Sequence, residues 1–197
     1  MKFIMFFEGE TERKSIPSFI QRWLSVRLQE KVGVQPVRFN GWPDLFGDVQ
    51  KKALMHLNGP RSNEIIGVVS LLDLYGPTFY PSHLSTKDEK YEWAKKSIEE
   101  RVSHPKFRQF FAVHELEAWL LSNPDLFPKG IKDALGEASK DPENVNFITP
   151  PSKLLDNLFR QQIRKTYKKV SYGKQFFDKL DPEIAYGRCS KLKQMLD

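Results

Sequence analysis

The stretch of sequence that decides the fold is Ile65-Ile66-Gly67-Val68-Val69-Ser70-Leu71-Leu72-Asp73. Its nearly continuous apolar run is typical of a β-strand that is buried on both faces. Such strands lie in the centre of parallel sheets, so this stretch predicts a central strand that ends at Asp73. A charge directly after so apolar a run needs a specific partner, because an unpaired charge is costly away from water. We therefore interpret Asp73 as a functional residue.

Three more strands and four helices are predicted around this central strand. The strands cover residues 2–7, 32–40 and 107–113, and helices cover 44–57, 87–103 and 115–121. Another helix follows the first strand, where apolar residues recur at helical spacing. Pro17 lies in that helix, which we expect to begin only about one turn before it. The alternation of strands and helices predicts an α/β fold with an open, mainly parallel four-stranded sheet covered by helices.

The pattern changes after residue 122 to short helical segments separated by prolines. We therefore predict an α/β core over residues 1–122 and a small, basic, helical C-terminal appendage over residues 123–197 that packs on the core. Residues 153–197 contain eleven Lys and Arg against five Asp and Glu, so the whole net charge of +6 lies in this segment. This asymmetry is expected of a surface that faces nucleic-acid phosphates, although a plain solvated basic surface would look the same.

Several common classes of protein are excluded by motifs that the sequence lacks. A single cysteine, Cys189, rules out an internal disulfide framework and a cysteine-rich zinc site. The two most apolar stretches are shorter than an export signal or a membrane-spanning helix requires, so we expect a soluble, cytoplasmic protein. The sequence contains no Walker loop, no GxGxxG and no GxSxG, which removes the commonest nucleotide-binding and hydrolase explanations.

Acidic residues follow three of the four predicted strands. Glu8 comes after the first strand, Asp73 ends the third, and His114, Glu115 and Glu117 follow the fourth. Ligands of open α/β sheets gather beyond the carboxyl ends of the strands. Clustered carboxylates repel one another unless a cation lies between them, and their hard oxygen atoms suit Mg²⁺ or Mn²⁺. We therefore predict a Mg²⁺ or Mn²⁺ site held by Glu8, Asp73, Glu115 and Glu117.

Individual acids also have structural explanations. A glutamate after a strand often caps the next helix, and we prefer that role for Glu10 and Glu12. Glu115 and Glu117 are two residues apart, so an extended chain would point both side chains to one face, whereas a helix would splay them. In a helix only one of the two is the expected ligand. His114 is a weaker candidate for a general base or ligand, since a lone histidine at a strand end is usually structural.

Four motifs along the chain resemble those of known families. The segment 8–12, Glu-Gly-Glu-Thr-Glu, resembles the EGxTE opening of Toprim-like proteins. Taken in order, the four resemble a bacterial family of unknown function, DUF4276, over nearly the whole chain. The other three are Leu71-Leu72-Asp73-Leu74-Tyr75-Gly76, His114-Glu115-Leu116-Glu117-Ala118-Trp119-Leu120-Leu121-Ser122 and Pro151-Ser152-Lys153.

The resemblance implies a Toprim-like sheet and a function. The family looks related to the RloB-like and OLD-type nucleases, which are often encoded beside an AAA/ABC-type ATPase in phage-defence systems. On this resemblance Glu8 is the acid of the first strand and Asp73 the first acid of the Toprim aspartate pair. Glu115 and Glu117 are then the later acids, and Lys153 approaches a phosphate.

One departure from the Toprim pattern bears on catalysis. The pattern has a second aspartate two residues after the first, and this chain has Tyr75 at that position. Either Glu115 or Glu117 supplies the missing ligand, or the protein binds a phosphate-bearing partner without cutting it.

Three hypotheses about function follow. The leading one is a metal-dependent nuclease that cleaves DNA or RNA at its acidic site and holds the backbone phosphates with five basic residues, Lys153, Arg164, Lys165, Lys168 and Lys169. The second is a non-catalytic effector or adaptor that docks on an ATPase. The third is a nucleic-acid-binding surface whose aromatic residues stack on bases, although helical packing explains these aromatics equally well; they are Tyr167, Tyr172, Phe176 and Phe177.

Overall fold

A computed structural model describes residues 1–144 and 149–197 of the chain. Within these ranges four parallel strands form one sheet in the order β2-β1-β3-β4. The strands are β1 (Lys2–Phe7), β2 (Gly33–Arg38), β3 (Ile65–Asp73) and β4 (Phe107–Ala112). The predicted α/β fold with a parallel four-stranded sheet is confirmed, and the apolar stretch that ends at Asp73 is a central strand.

Helices connect the strands and form the C-terminal part of the chain. They are α1 (Glu10–Ser25), α2 (Trp42–Leu57), α3 (Lys87–Val102), α4 (Glu117–Leu121), α5 (Lys129–Ala134), α6 (Pro151–Ile163), α7 (Lys169–Lys179), α8 (Pro182–Arg188) and α9 (Ser190–Leu196). The first residues of α3 illustrate how the sequence sets a boundary. Thr86 and Glu89 each bond the other's backbone N–H there, which satisfies donors that have no partner inside the helix.

The two faces of the sheet are covered by different helices. Alternate residues of β1 show the division, because Ile4 and Phe6 pack with α2 and α3, whereas Met5 and Phe7 pack with α1 and the C-terminal helices. Both groups of residues are fully or almost fully buried. The sheet is thus buried on both faces, which explains the continuous apolar character of its central strands.

The C-terminal segment forms part of one covering layer. Phe159, Phe177 and Leu180 are buried in the same hydrophobic cluster as Met5 and Phe7 of β1. Cys189 is buried there too, as a small core residue. The helices after residue 122 therefore pack directly on the layer formed by α1 and on the sheet.

One predicted boundary is wrong, because α1 begins at Glu10, nearly two turns before Pro17. Proline removes one hydrogen bond from a helix interior. Burial of Ile16, Phe19 and Ile20 from the same helix offsets this loss, since each large apolar side chain contributes about 1.5–3 kcal/mol. Pro17 itself is partly exposed, so water can reach that side of the helix.

Helix α7 contacts α1 at two places, one near the start of α7 and one at its C-terminal end. A Cβ atom at Gly173 would lie 3.3 Å from Thr11 Cγ2, so the absence of a side chain lets the two helices touch. Arg22 of α1 donates to the carbonyl oxygens of Phe177 and Leu180, at 2.7 and 2.8 Å, and so caps the end of α7. These contacts determine where Lys169, the first residue of α7, is placed.

A valine at Gly173 tests this close approach. We expect Gly173→Val to lower the free energy of unfolding by roughly 1–3 kcal/mol, because the new side chain overlaps Thr11. Urea denaturation followed by circular dichroism measures the change. Gly187→Val is the control, since a Cβ atom at Gly187 meets nothing within 4 Å. Equal losses in the two variants would contradict the packing explanation.

None of the helices within 1–144 and 149–197 combines the length and the apolar character needed to cross a membrane.

Candidate functional site

The candidate site lies at the strand ends, where the helices that follow two neighbouring strands turn to opposite faces of the sheet. Strands β1 and β3 are adjacent, but α1, which follows β1, covers one face and α3, which follows β3, covers the other. This arrangement leaves a crevice beyond the carboxyl ends of the two strands, where open α/β sheets bind ligands. Glu8 follows β1 and Asp73 ends β3, so both residues lie at this crevice.

Three carboxylates meet in the crevice. One carboxylate oxygen from each of Glu8, Glu12 and Asp73 lies within 4.8 Å of the other two. Asp73 and Glu12 are buried, with exposed fractions of 5% each, and Glu8 is half-buried. The structure thus brings Glu8 and Asp73 together, and it adds Glu12, to which the sequence had suggested only a capping role.

Glu12 reaches the crevice because Gly9 leaves room for it. A Cβ atom at Gly9 would lie 2.7 Å from Glu12 Oε2, so the carboxylate folds back over the glycine at the start of α1. The sequence contained a signal for this position of Glu12. In the segment 8–12 a glycine, Gly9, comes three residues before the glutamate. Glu10 instead points away, where it forms ion pairs with Arg13 and Lys14, as expected of a residue at a helix start.

Asp73 is held by two different partners. Its Oδ1 atom accepts a hydrogen bond of 3.0 Å from the backbone N–H of Leu116. Its Oδ2 atom lies 3.3 Å from the ammonium of Lys169. Asp73, the last residue of the apolar strand β3, therefore has the specific partners that a buried charge requires.

Lys169 also binds Glu117, the first residue of α4. The ammonium lies 3.1 Å from Glu117 Oε2, and the hydroxyl of Tyr167 donates to Glu117 Oε1 over 3.4 Å. Glu117 is almost completely buried, whereas 34% of the Lys169 side chain is exposed. Lys169 therefore bridges Asp73 and Glu117 in the crevice.

Glu115 and His114 have other surroundings. Glu115 Oε2 accepts from the backbone N–H of Ser152 at 2.8 Å, which satisfies a donor in the first turn of α6. His114 is 2% exposed, and its carbonyl oxygen accepts from the backbone N–H of Tyr75. Glu115 and Glu117 thus contact different helices. Neither is part of the group of three carboxylates, and their roles as metal ligands stay predictions.

The crevice raises the pKa values of its acids. Burial, and then the charge of Glu12, raise the pKa of Glu8 to about 7. Burial also raises the pKa values of Asp73 and Glu117, against the opposing charge of Lys169. Burial by itself would lower the pKa of the Lys169 ammonium, but the carboxylates of Asp73 and Glu117 reverse this effect and raise it. Perturbed acids in a cleft are typical of functional sites.

Four of the five predicted phosphate-binding residues are exposed: Lys153, Arg164, Lys165 and Lys168. The fifth, Lys169, lies in the crevice instead, and nucleic-acid binding by these residues stays a prediction. Three of the four aromatic residues suggested for base stacking are buried, namely Tyr167, Phe176 and Phe177. The rings of Tyr167 and Phe176 pack on Phe159, and that of Phe177 packs on Phe19, so helical packing explains these three residues.

The three carboxylates suit a hard divalent cation. Oxygen ligands lie about 2.0–2.1 Å from Mg²⁺, so ligands on opposite sides of the ion are roughly 4 Å apart. Oxygen atoms within 4.8 Å of one another need only a small adjustment to reach this spacing. Glu8, Glu12 and Asp73 therefore fit such a cation. The ammonium of Lys169 is the positive charge that already faces Asp73.

The profile of a family described as a domain of unknown function, DUF4276, matches residues 7–197. The chain belongs to the DUF4276 family. Comparison with curated proteins and comparison with solved structures each found no match. The family predicted from the four motifs is thus confirmed.

In this DUF4276 protein the first three motifs contribute residues to the crevice, and the fourth contacts the third. The first supplies Glu8 and Glu12, and the second supplies Asp73 at the end of β3. The third provides the Leu116 N–H that binds Asp73. The fourth begins α6, whose Ser152 N–H binds Glu115 of the third. Distant parts of the chain are therefore brought together by the fold.

A glutamine at Glu8 tests the electrostatics of the site. A carboxyl group whose pKa is about 7 in the folded chain, against an ordinary value of 4.5, favours folding below pH 4.5 and loses this advantage as the pH rises through 7. In EDTA we therefore expect Glu8→Gln to match the native chain at pH 5 but to melt at a higher temperature at pH 8. Each kcal/mol gained by removing this buried charge corresponds to roughly 2–4 °C in melting temperature.

Thermal denaturation at pH 5, 6, 7 and 8 measures this effect. The exposed Glu30 provides a control, and Glu30→Gln should show no such trend. A melting difference that is the same at every pH would contradict the assignment.

A methionine at Lys169 tests the bridge. Lys169→Met leaves the carboxylates of Asp73 and Glu117 without their cation, and we expect it to lower the free energy of unfolding at pH 8 by roughly 2 kcal/mol. This is less than the 3–5 kcal/mol typical of a fully buried pair, because Lys169 is partly exposed. The loss should be smaller at pH 5 than at pH 8, because the raised pKa values of Asp73 and Glu117 mean that these acids take up protons at a higher pH than ordinary carboxyl groups and then need the cation less.

Urea denaturation at both pH values measures the loss. Lys168→Met is the matched control, because Lys168 is the exposed neighbour and forms no ion pair with the residues in 1–144 and 149–197. A similar loss in both variants would show that Lys169 is not a bridge.

Proposed function

We propose that this DUF4276 protein is a cytoplasmic, Mg²⁺- or Mn²⁺-dependent hydrolase of nucleic-acid phosphodiesters. The observation that carries the proposal is the meeting of Glu8, Glu12 and Asp73, whose carboxylate oxygens lie within 4.8 Å of one another at the strand ends. Three acids are gathered in a buried crevice, where burial and then the charge of Glu12 raise the pKa of Glu8 to about 7. A divalent cation bound between the three carboxylates would offset their repulsion, and this explains why the acids are grouped.

Each residue of the crevice has a role in this proposal. Glu8, Glu12 and Asp73 hold the cation, which when bound polarises a phosphodiester and lowers the pKa of water. The N–H of Leu116 fixes the orientation of the Asp73 carboxylate. The ammonium of Lys169, with a third of its side chain exposed, can contact a phosphate oxygen from the open side of the crevice.

The charge of the C-terminal segment supports a nucleic-acid substrate. Lys153 is exposed one residue after Ser152, whose N–H binds Glu115 beside the crevice. Lys168 is exposed directly before Lys169, and Arg164 and Lys165 are exposed in the same connection between α6 and α7. Cations along this path would hold the backbone phosphates on both sides of the bond that is cut. The proposal covers both DNA and RNA.

The motifs extend the proposal to a biological setting. Their resemblance to Toprim-like, RloB-like and OLD-type nucleases suggests a role in phage defence together with an AAA/ABC-type ATPase. The ATPase is a proposed partner on this resemblance alone.

A second candidate is a non-catalytic effector or adaptor. The observation that favours it is the position of Lys169, whose ammonium lies 3.3 Å from Asp73 and 3.1 Å from Glu117. A lysine in this place neutralises part of the acidic charge without any metal. In that case the crevice is a structural ion-pair network and the protein acts by binding a partner.

Cleavage assays with purified protein distinguish the two candidates. The protein is incubated with plasmid DNA, single-stranded DNA and tRNA in Mn²⁺, Mg²⁺ or EDTA, and products are resolved on gels. We expect cleavage only with a divalent cation, and a loss of more than about 100-fold in Asp73→Asn. Asparagine keeps the shape of the side chain and the acceptor for Leu116 N–H, so this variant should remain folded.

Asp133→Asn is the control, because Asp133 is exposed on α5 and pairs only with Lys129 among the described residues. Binding of Mn²⁺, measured by calorimetry, should disappear in Asp73→Asn and persist in Asp133→Asn. Cleavage that persists in EDTA would contradict the proposed mechanism. Absence of both cleavage and Mn²⁺ binding would favour the effector.

A further inference from the structure

A cavity of about 330 Å³ opens beside the acidic crevice. The chain that leaves β3 after Asp73 forms its wall, and Lys90 of α3 closes one side. Its aromatic lining consists of Tyr75 and Tyr80, and Leu74 and Pro77 add apolar surface. The volume lies in the range of small-molecule sites, which are usually lined by apolar and aromatic side chains with a few polar groups.

The two tyrosines present different surfaces. Tyr75 is 44% exposed, so part of its ring faces solvent at the cavity. Tyr80 is held in place, because its hydroxyl donates to the carbonyl oxygen of Leu74 at 2.8 Å. The ammonium of Lys90 lies 5.7 Å from the centre of the Tyr80 ring, within reach of an anionic group near the cavity mouth. The cavity therefore combines a fixed ring, an exposed ring and a cation.

The cavity and the acidic crevice are neighbours. Leu74 follows Asp73 directly, and Tyr75 is two residues from Asp73, or roughly 7 Å along an extended chain. The negative charges of Glu8 and Asp73 also reach Tyr80, whose pKa is raised by burial and then by these two acids. A group attached to a phosphate in the crevice is thus within reach of the cavity.

We propose that the cavity binds an unpaired nucleobase next to the phosphate held at the acidic crevice, so that the substrate is single-stranded or locally unpaired nucleic acid. This inference rests on the proposed function and names its substrate class. Aromatic side chains stack on any base, because every base has a π face. A base inside a duplex is already stacked and paired, and it would have to leave the helix to enter the cavity.

The inference gives a role to Tyr75. This residue places an aromatic ring on the cavity wall two residues after Asp73. The backbone N–H of Tyr75 donates to the carbonyl oxygen of His114, which fixes the start of the loop relative to β4. The backbone at position 75 is thereby anchored at the strand ends, beside the acids.

The experiment measures base stacking separately from cleavage. A single-stranded oligonucleotide that contains 2-aminopurine is titrated with the full chain in Ca²⁺, which supplies the crevice with a hard divalent cation, and its fluorescence is recorded while gels check that the oligonucleotide stays intact. We expect quenching on binding, and about tenfold weaker affinity with loss of quenching in Tyr75→Ala. Tyr75→Phe keeps the ring and should keep both. A duplex of the same sequence should bind more weakly and show no quenching.

Met55→Ala is the matched control, because Met55 is also exposed but lines a different cavity near the start of β3, at the opposite edge of the sheet. Thermal denaturation checks that each variant is folded, and Tyr75→Leu, which lacks a π face but keeps apolar bulk, provides a second variant. Unchanged quenching in both Tyr75→Ala and Tyr75→Leu would overturn the inference.

The outcomes separate this inference from the proposed function. Metal-dependent cleavage that is equally fast on duplex and single strands, with no effect of Tyr75→Ala, leaves the hydrolase proposal standing and overturns the cavity assignment. Quenching that depends on Tyr75 without any cleavage supports the cavity and contradicts the hydrolase proposal.

Discussion

The ammonium of Lys169 lies between two buried carboxylates, at 3.3 Å from Asp73 Oδ2 and 3.1 Å from Glu117 Oε2. Asp73 ends a central strand, Glu117 begins α4, and Lys169 begins α7, so one cation joins three distant parts of the chain. A positive charge at this point favours the ionised forms of Asp73 and Glu117, against the burial that raises their pKa values. The position of α7 matters for this reason, because its first residue supplies the charge at the ends of the strands.

The contacts of α7 with α1 satisfy this constraint. Gly173 lies one helical turn after Lys169 on the same side of α7, and it allows close contact with Thr11 at the beginning of α1. Arg22 holds the other end of α7 through two carbonyl oxygens. Glu12 lies one residue after Thr11, so a single helix start positions both an acid of the crevice and the helix that carries its cation. The packing and the electrostatics of the site are thus parts of one arrangement.

Sequence patterns predicted the strands and the places where acids follow them. The apolar run that ends at Asp73 is typical of a buried strand, and parallel strands bring their carboxyl ends to one edge of the sheet. Glu8 and Asp73 followed from these local facts. The start of α1 was predicted too late because of Pro17. The hydrogen bond that this proline removes costs less than burial of the apolar face of α1 contributes. Glu12 was given a capping role although Gly9, which leaves room for its side chain, was visible in the sequence. Lys169 was assigned to a basic surface because a long-range ion pair leaves no periodic signal in a sequence.

The sequence by itself determined the α/β class, the central position of β3, the DUF4276 motifs and the acids at the strand ends, since these depend on short-range periodicity and composition. Only the tertiary structure decided which charges meet. It separated Glu115, which binds the start of α6, from Glu117, which binds Lys169. It also moved Lys169 from a predicted basic surface into the acidic crevice. Coulomb interactions depend on distances through space, and folding brings Lys169 and Asp73 within 3.3 Å although 96 residues separate them in the chain.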